Sequence, residues 1–103
     1  MGKPNPTPTR LTAYELVHQV NRQGAYANLR LPELLAKSKM TQADRAFTTE
    51  LAYGSLRMQG QHDYIAAKYL DRPFSEVDEK IQDLLRIGIH QITQMRVASH
   101  AAV

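Results

Sequence analysis

Four histidines, at positions 18, 62, 90 and 100, are the residues of this chain best suited to hold a metal or move a proton. Their spacing argues against both uses. Two ligands share a helix face only when three or four residues separate them, and none of the four has a partner at i+3 or i+4 that completes a metal set. Asp63 directly follows His62 and therefore projects in another direction. Each histidine is expected to be a surface residue or an interhelical hydrogen-bonding one. The chain has no cysteine, which removes thiolate ligands, a thiol nucleophile and disulfides. No glycine-rich phosphate loop and no G-x-S-x-G turn is present. Glu50 and Arg86 stand beside apolar residues (Leu51; Leu84 and Leu85), and the two are expected to pair between packed helices and fix their register. The residues therefore point to no catalytic group and no metal site.

The elements that would carry these groups read as helices throughout, since no stretch alternates with a period of two. The first nine residues contain three prolines and no apolar periodicity, and are expected to form a flexible arm, residues 1–9. Thr9 is placed to cap a helix over 10–23, with Ala13, Leu16, Val17 and Val20 on its inner face and Gly24 as its stop. "GAYANLRL" is expected to be a connection, and Pro32 to open a short second helix over 32–38. Thr41, with Asp44 three residues on, caps a long helix that keeps Phe47, Leu51, Gly54, Met58, Ile65 and Tyr69 on one face to about residue 70. Gly60 is the expected bend, and Gly54 allows close approach. After Pro73, Ser75 and Asp78 cap a last helix over 76–95, expected to face inward with Ile81, Leu84, Leu85, Gly88, Ile92 and Met95. Acidic Glu76, Asp78 and Glu79 suit the positive end of its dipole. At the end of the chain, Ser99 before "HAAV" signals the start of one more helix.

A chain of 103 residues is at most one domain, and with 43% hydrophobic residues it has the means to bury a core. No apolar run approaches the roughly 20 residues that span a bilayer, and no signal peptide is visible. A reducing, cytoplasmic setting fits the absence of cysteine. Charge is unevenly distributed. Residues 1–43 carry six basic and two acidic side chains, against seven basic and eight acidic over 44–103. That asymmetry favours an anionic partner such as nucleic acid.

Four stretches, "GAYANLRL", "DRAFTTELAYGSLR", "LLRIGIHQITQM" and "SHAAV", together resemble one family in its order. They look like the N-terminal domain of the bacterial ribosomal RNA cytosine-5 methyltransferases known as Sun, Fmu or RsmB, a domain similar to the antitermination factor NusB. The resemblance spans about residues 10–103. It implies an all-α, NusB-like helical bundle over 10–103, lacking its last helices. In that family "HAAV" begins a further helix, and a Rossmann-like domain follows that binds S-adenosylmethionine and supplies the cysteine nucleophile. The resemblance thus implies a fragment with no cofactor of its own, whose parent is a methyltransferase using S-adenosylmethionine. An exposed groove with apolar residues from the long and the last helices is expected, together with self-association or marginal stability.

The function that the resemblance implies is RNA binding, seating ribosomal RNA for the absent C-terminal methyltransferase domain. The candidate contacts are the basic residues of the first half: Arg10, Arg22, Arg30, Lys37, Lys39 and Arg45. Tyr26 and Asn28 offer a base a stacking face and a hydrogen bond, or else pack against the long helix. Arg45 and Arg57 serve equally well to hold helices together. Two other readings stay open: a free-standing antitermination factor, and a helical module that docks on protein and forms homo-oligomers.

Overall fold

The structure, a computed structural model, describes residues 8–95. Residues 1–7 of the expected arm lie outside it, as do Ser99 and the residues after it. Among the described residues there are five α-helices, one 3-10 turn and no strand. The expectation of an all-helical chain holds.

Helix α1 runs Pro8–Gln23. It begins earlier than the Thr9 cap implied. Pro8 takes the first turn, where a backbone N–H would have no helical partner anyway, and Thr9 is buried inside the helix. Ala13, Leu16 and Val17 are completely buried, as their spacing requires. Gly24 ends the helix at φ +73°, a conformation that costs other residues strain.

Helix α2 covers Ala27–Ala36, with Pro32 inside it. The expected connection therefore folds as helix. Ala27, Leu31, Leu34 and Leu35 fall at helical spacing, and the last three are buried against the core. Pro32 removes only the bond to the carbonyl of Asn28, a residue open to water.

Helix α3 spans Gln42–Arg57, and the Thr41 side chain accepts from the Asp44 N–H at 3.1 Å as its sequence signal foretold. The long helix does not continue to residue 70. It breaks at Met58 (φ −109°, ψ 17°), two residues ahead of Gly60, and α4 then covers Gln59–Ala67. Of the expected inner face, Leu51 and Gly54 are buried, whereas Tyr69 is 84% exposed. A 3-10 turn, Phe74–Glu76, leads to α5, Glu79–Gln94, which Asp78 caps by accepting from the Lys80 N–H at 2.9 Å.

Helix α5 turns a different face inward from the one its apolar residues marked. Ile81, Leu84 and Ile92 remain 46–50% exposed. Gln82, Asp83, Arg86, Ile87, His90 and Gln91 are buried instead. Polar side chains on α1, α3 and α4 satisfy that face, so its desolvation is compensated. The apolar face is left outward. Leu85, Ile89 and Ile92 join Ile65, Ala66, Tyr69 and Leu70 around an open groove of about 310 Å³ between α4 and α5. The expected apolar groove is thus present, formed by α4 and α5. The hydrocarbon core itself lies among α1, α2, α3 and Ile87 of α5. Burial of each of its leucines contributes roughly 1.5–3 kcal/mol.

Candidate nucleic-acid interface

The six basic residues singled out from the sequence separate into two groups. Arg10 and Arg22 sit in the seam where α1 meets α5. Arg10 Nε donates to Gln91 Oε1 at 2.7 Å, and its guanidinium lies 5.4 Å from the centre of the Phe47 ring. Arg22 donates to Gln82 Oε1 at 2.9 Å and, more weakly, to Asp83 Oδ2 and the Glu79 carbonyl, both at 3.4 Å. Its charge is largely committed to those acceptors.

Arg30, Lys37, Lys39 and Arg45 follow α2 and the turn into α3. Arg30 forms an exposed pair with Glu33 at 2.8 Å, one helical turn away. Such a pair is worth only a few tenths of a kcal/mol and opens readily for a stronger anion. Arg45 donates to the Leu35 carbonyl at 3.3 Å, closing the C-terminal end of α2 while remaining exposed. Lys37 and Lys39 are exposed and make no ion pair among the described residues. Tyr26 is 73% exposed and Asn28 is exposed too, so neither packs against α3. They stand at the N-terminal end of α2, which has no side-chain cap.

The sequence reading missed a buried polar network centred on Asp83. This carboxylate is inaccessible to solvent and bonds to His18 Nδ1 at 2.9 Å, Asn21 Nδ2 at 3.1 Å and Arg86 Nη1 at 3.0 Å. Burial alone would raise its pKa. The hydrogen bonds from Asn21 and His18, the Arg22 charge and the bond from Arg86 outweigh that and hold it below the usual carboxylate range. Arg86 then grips Asp63 on α4 with two bonds of 2.7 Å, and the Asp63 bond pushes the guanidinium pKa up. The expected partner of Arg86, Glu50, lies instead near His90 and Arg57. Asp63 wins because α4 packs directly on α5 and offers both oxygens to the guanidinium fork. A signal for this network existed: Gln82, Asp83, Arg86 and His90 repeat at helical spacing along one polar stripe.

A second buried pair joins α4 to α5. His62 Nε2 and His90 Nδ1 are 3.0 Å apart, and both rings are inaccessible to solvent. Neither His62 Nδ1 nor His90 Nε2 has a hydrogen-bond partner, although Glu50 Oε2 lies 3.6 Å from the latter. The His90 ring fills the space above Gly54, where a Cβ would overlap it. Gly54 thus permits close approach as expected, although a side chain rather than a helix backbone makes it. Burial, then the neighbouring His90, push the His62 pKa down to about 4. Burial also lowers that of His90, against the opposing pull of Glu50.

Chemically, these networks position helices and leave no reactive group poised. His18 and Asp83 resemble the oriented half of a catalytic triad, yet no hydroxyl bonds to His18 among the described residues. No group of three or more His, Cys, Asp or Glu converges on a possible metal position among the described residues. Among the described residues, no helix is long and apolar enough to cross a membrane.

Comparison with known proteins agrees with this architecture. A ribosomal RNA small subunit methyltransferase B of Pseudomonas putida is 36% identical over 94 residues, covering 91% of this chain and 21% of its own. The Escherichia coli protein of the same name is 31% identical over 94 residues, with 91% and 21% covered. A Mycobacterium tuberculosis protein named "Putative methyltransferase" is 42% identical over 96 residues, covering 93% of this chain. The chain spans about a fifth of the length of these curated relatives (21% of each). No solved structure matches it significantly. The NusB family model matches residues 7–103, and this chain belongs to the NusB family.

Proposed function

We propose that this chain is the RNA-binding accessory domain of an S-adenosylmethionine-dependent ribosomal RNA (cytosine-5) methyltransferase, acting in the cytoplasm to help seat the RNA. One observation carries this reading. A NusB-family unit matches about a fifth of each relative named for methylation of small-subunit ribosomal RNA. The contact surface is the corner of α2 and α3, where Arg30, Lys37, Lys39 and Arg45 present positive charge to phosphates, with Tyr26 and Asn28 beside them. Arg10 and Arg22 support that surface from inside the α1–α5 seam.

The methyl donor belongs with a separate domain of the longer protein. The groove between α4 and α5 is lined by hydrocarbon apart from the Tyr69 and Thr93 hydroxyls, a poor match to so polar and charged a cofactor. Titration with 16S ribosomal RNA fragments at about 50 and about 200 mM salt tests the reading. Three or four neutralised phosphates should weaken binding about thirtyfold between those conditions. Absence of binding, or affinity indifferent to salt, would overturn it.

The outward apolar face of α4 and α5 favours a second reading, a protein-docking role. In the whole protein that face would meet the methyltransferase domain, and in the isolated chain a second copy. Docking through hydrocarbon barely responds to salt, so the same titration separates the two.

A further inference from the structure

Helix α4 is held to the bundle in an unusual way. It buries only His62 and Ala66, so hydrophobic burial contributes little to its attachment. Three polar clasps do most of that work, one of them Gln59, which exchanges bonds of 3.0 and 3.2 Å with Asn21 on α1. Asp63 grips Arg86 with two short bonds, and His62, its neighbour, pairs with His90 one helical turn along α5.

Each ring of the histidine clasp has one nitrogen in the bond between them and one without a hydrogen-bond partner, His62 Nδ1 and His90 Nε2. The Glu50 carboxylate, 3.6 Å from His90 Nε2, favours a hydrogen on that nitrogen, with His90 Nδ1 then the acceptor. In that tautomer His62 donates through Nε2, which leaves its Nδ1 as a bare, buried lone pair. With hydrogen on both His90 Nε2 and His62 Nε2, the pair has one vacancy for a proton, at His62 Nδ1. The charged groups facing it are Glu50 and Arg57 from α3, Asp63 from α4 and Arg86 from α5. A proton arriving at His62 Nδ1 creates a solvent-excluded imidazolium whose new N–H has no acceptor.

We propose that the buried His62–His90 pair is an acid-operated latch: uptake of one proton from solvent at His62 Nδ1 releases α4 from the bundle while α1, α2 and α3 remain folded. The selectivity follows from burial. Residues of α1, α2 and α3 share the hydrocarbon core, whereas α4 depends on its clasps. Release of α4 also opens the apolar groove, because Ile65 and Ala66 form one of its walls. The latch is independent of the RNA reading and stands or falls separately.

Hydrogen exchange of the 103-residue chain at about pH 7 and about pH 5, corrected for intrinsic rates, tests it. A His62 pKa depressed from 6.5 to about 4 corresponds to about a twentyfold loss of α4 protection over that range. The amides of α3, which open only with the whole bundle, should stay well above those of α4 in protection at both pH values. Equal protection of α3 and α4 at about pH 5, or no pH dependence in α4, would overturn the latch. His62→Leu should remove the pH dependence of α4 protection. Retention of that dependence in a folded variant would also overturn the proposal. Should the variant fail to fold, the ring resonances of the unaltered chain decide: His62 must titrate well below its ordinary value, and titration near 6.5 refutes the latch.

Discussion

Arg22 and Arg86 in the seam between α1, α4 and α5 differ from Lys37 and Lys39 at the corner of α2 and α3 in what neutralises them. In the seam, one buried carboxylate, Asp83, accepts from both arginines and from His18 and Asn21, and Asp63 takes the rest of Arg86. At the corner, both lysines stand in water with no ion pair among the described residues. Positive charge that is matched inside the fold fixes geometry and is lost to any partner. Positive charge left unmatched on the surface contributes little to folding and remains available to an anion. Counting basic residues along the chain therefore overstates the positive charge left open to an anion.

The strongest way to break this comparison is Asp83→Ala. It would take one acceptor at once from Arg22, Arg86, His18 and Asn21 in a largely buried seam. Asp63 still holds Arg86 and Gln82 still holds Arg22, so the cost is about 3 kcal/mol. Against a total stability of about 5–15 kcal/mol, such a loss leaves the domain barely folded. Urea denaturation measures it. A variant as stable as the parent would mean that the seam is far wetter than its geometry implies.

Acid should act on the same side of the molecule. The His62 pKa is lowered by burial and His90 from 6.5 to about 4, so the folded chain binds fewer protons than the unfolded one. Its contribution is complete above pH 6.5 and is lost as pH falls from there towards 4, amounting to about 3 kcal/mol. Asp83, whose pKa is also depressed, contributes above its unfolded value and loses that contribution as pH falls through its folded one. Denaturation midpoints followed from about pH 7 to about pH 4 should decline steadily. A flat profile would contradict the burial of the histidine pair.

Gly54→Ala sharpens the contrast at a single atom. The added methyl would overlap the His90 ring and approach Glu50 Oε2 at 3.2 Å. The helix-propensity gain of up to about 1 kcal/mol is outweighed by an overpacking penalty of about 1–3 kcal/mol. Net destabilisation in thermal melts, with slower folding not required, is the expected result. A more stable variant would show that the ring has somewhere else to go.

How legible these regions were follows from what each is made of. Caps and hydrocarbon stripes were readable: Thr41 bonds as its spacing foretold, and Ala13, Leu16 and Val17 are buried where helical periodicity put them. Helix α5 was misread because the apolar stripe of Ile81, Leu84 and Ile92 was the wider one, and hydrophobicity is the usual guide to the inner face. The polar stripe of Asp83, Arg86 and His90 became internal only because His18, Asn21, Asp63, His62 and Glu50 meet it from other helices. Those partners are far away in sequence. Pro32 inside α2 has a related explanation: its lost bond matters little when the residue that would accept it, Asn28, is exposed. At the corner, composition indicated the charge but not which arginines would be drawn inside.

The smallest effect on stability belongs to Lys37→Glu combined with Lys39→Glu, and it separates folding from binding most cleanly. Both side chains are exposed and unpaired among the described residues, so the double variant should stay within about 0.5 kcal/mol of the parent. Its affinity for a ribosomal RNA fragment should fall, and the slope of log affinity against log salt should drop by about 1–2, one phosphate contact per lysine removed. Arg22→Gln makes the control of opposite character. Because its guanidinium is held by Gln82, Glu79 and Asp83, this change should lower stability and leave the salt slope of the folded fraction unaltered. If instead Arg22→Gln flattens the slope while the lysine variant leaves it intact, the phosphates lie along the seam, and the division between matched and unmatched charge must be redrawn.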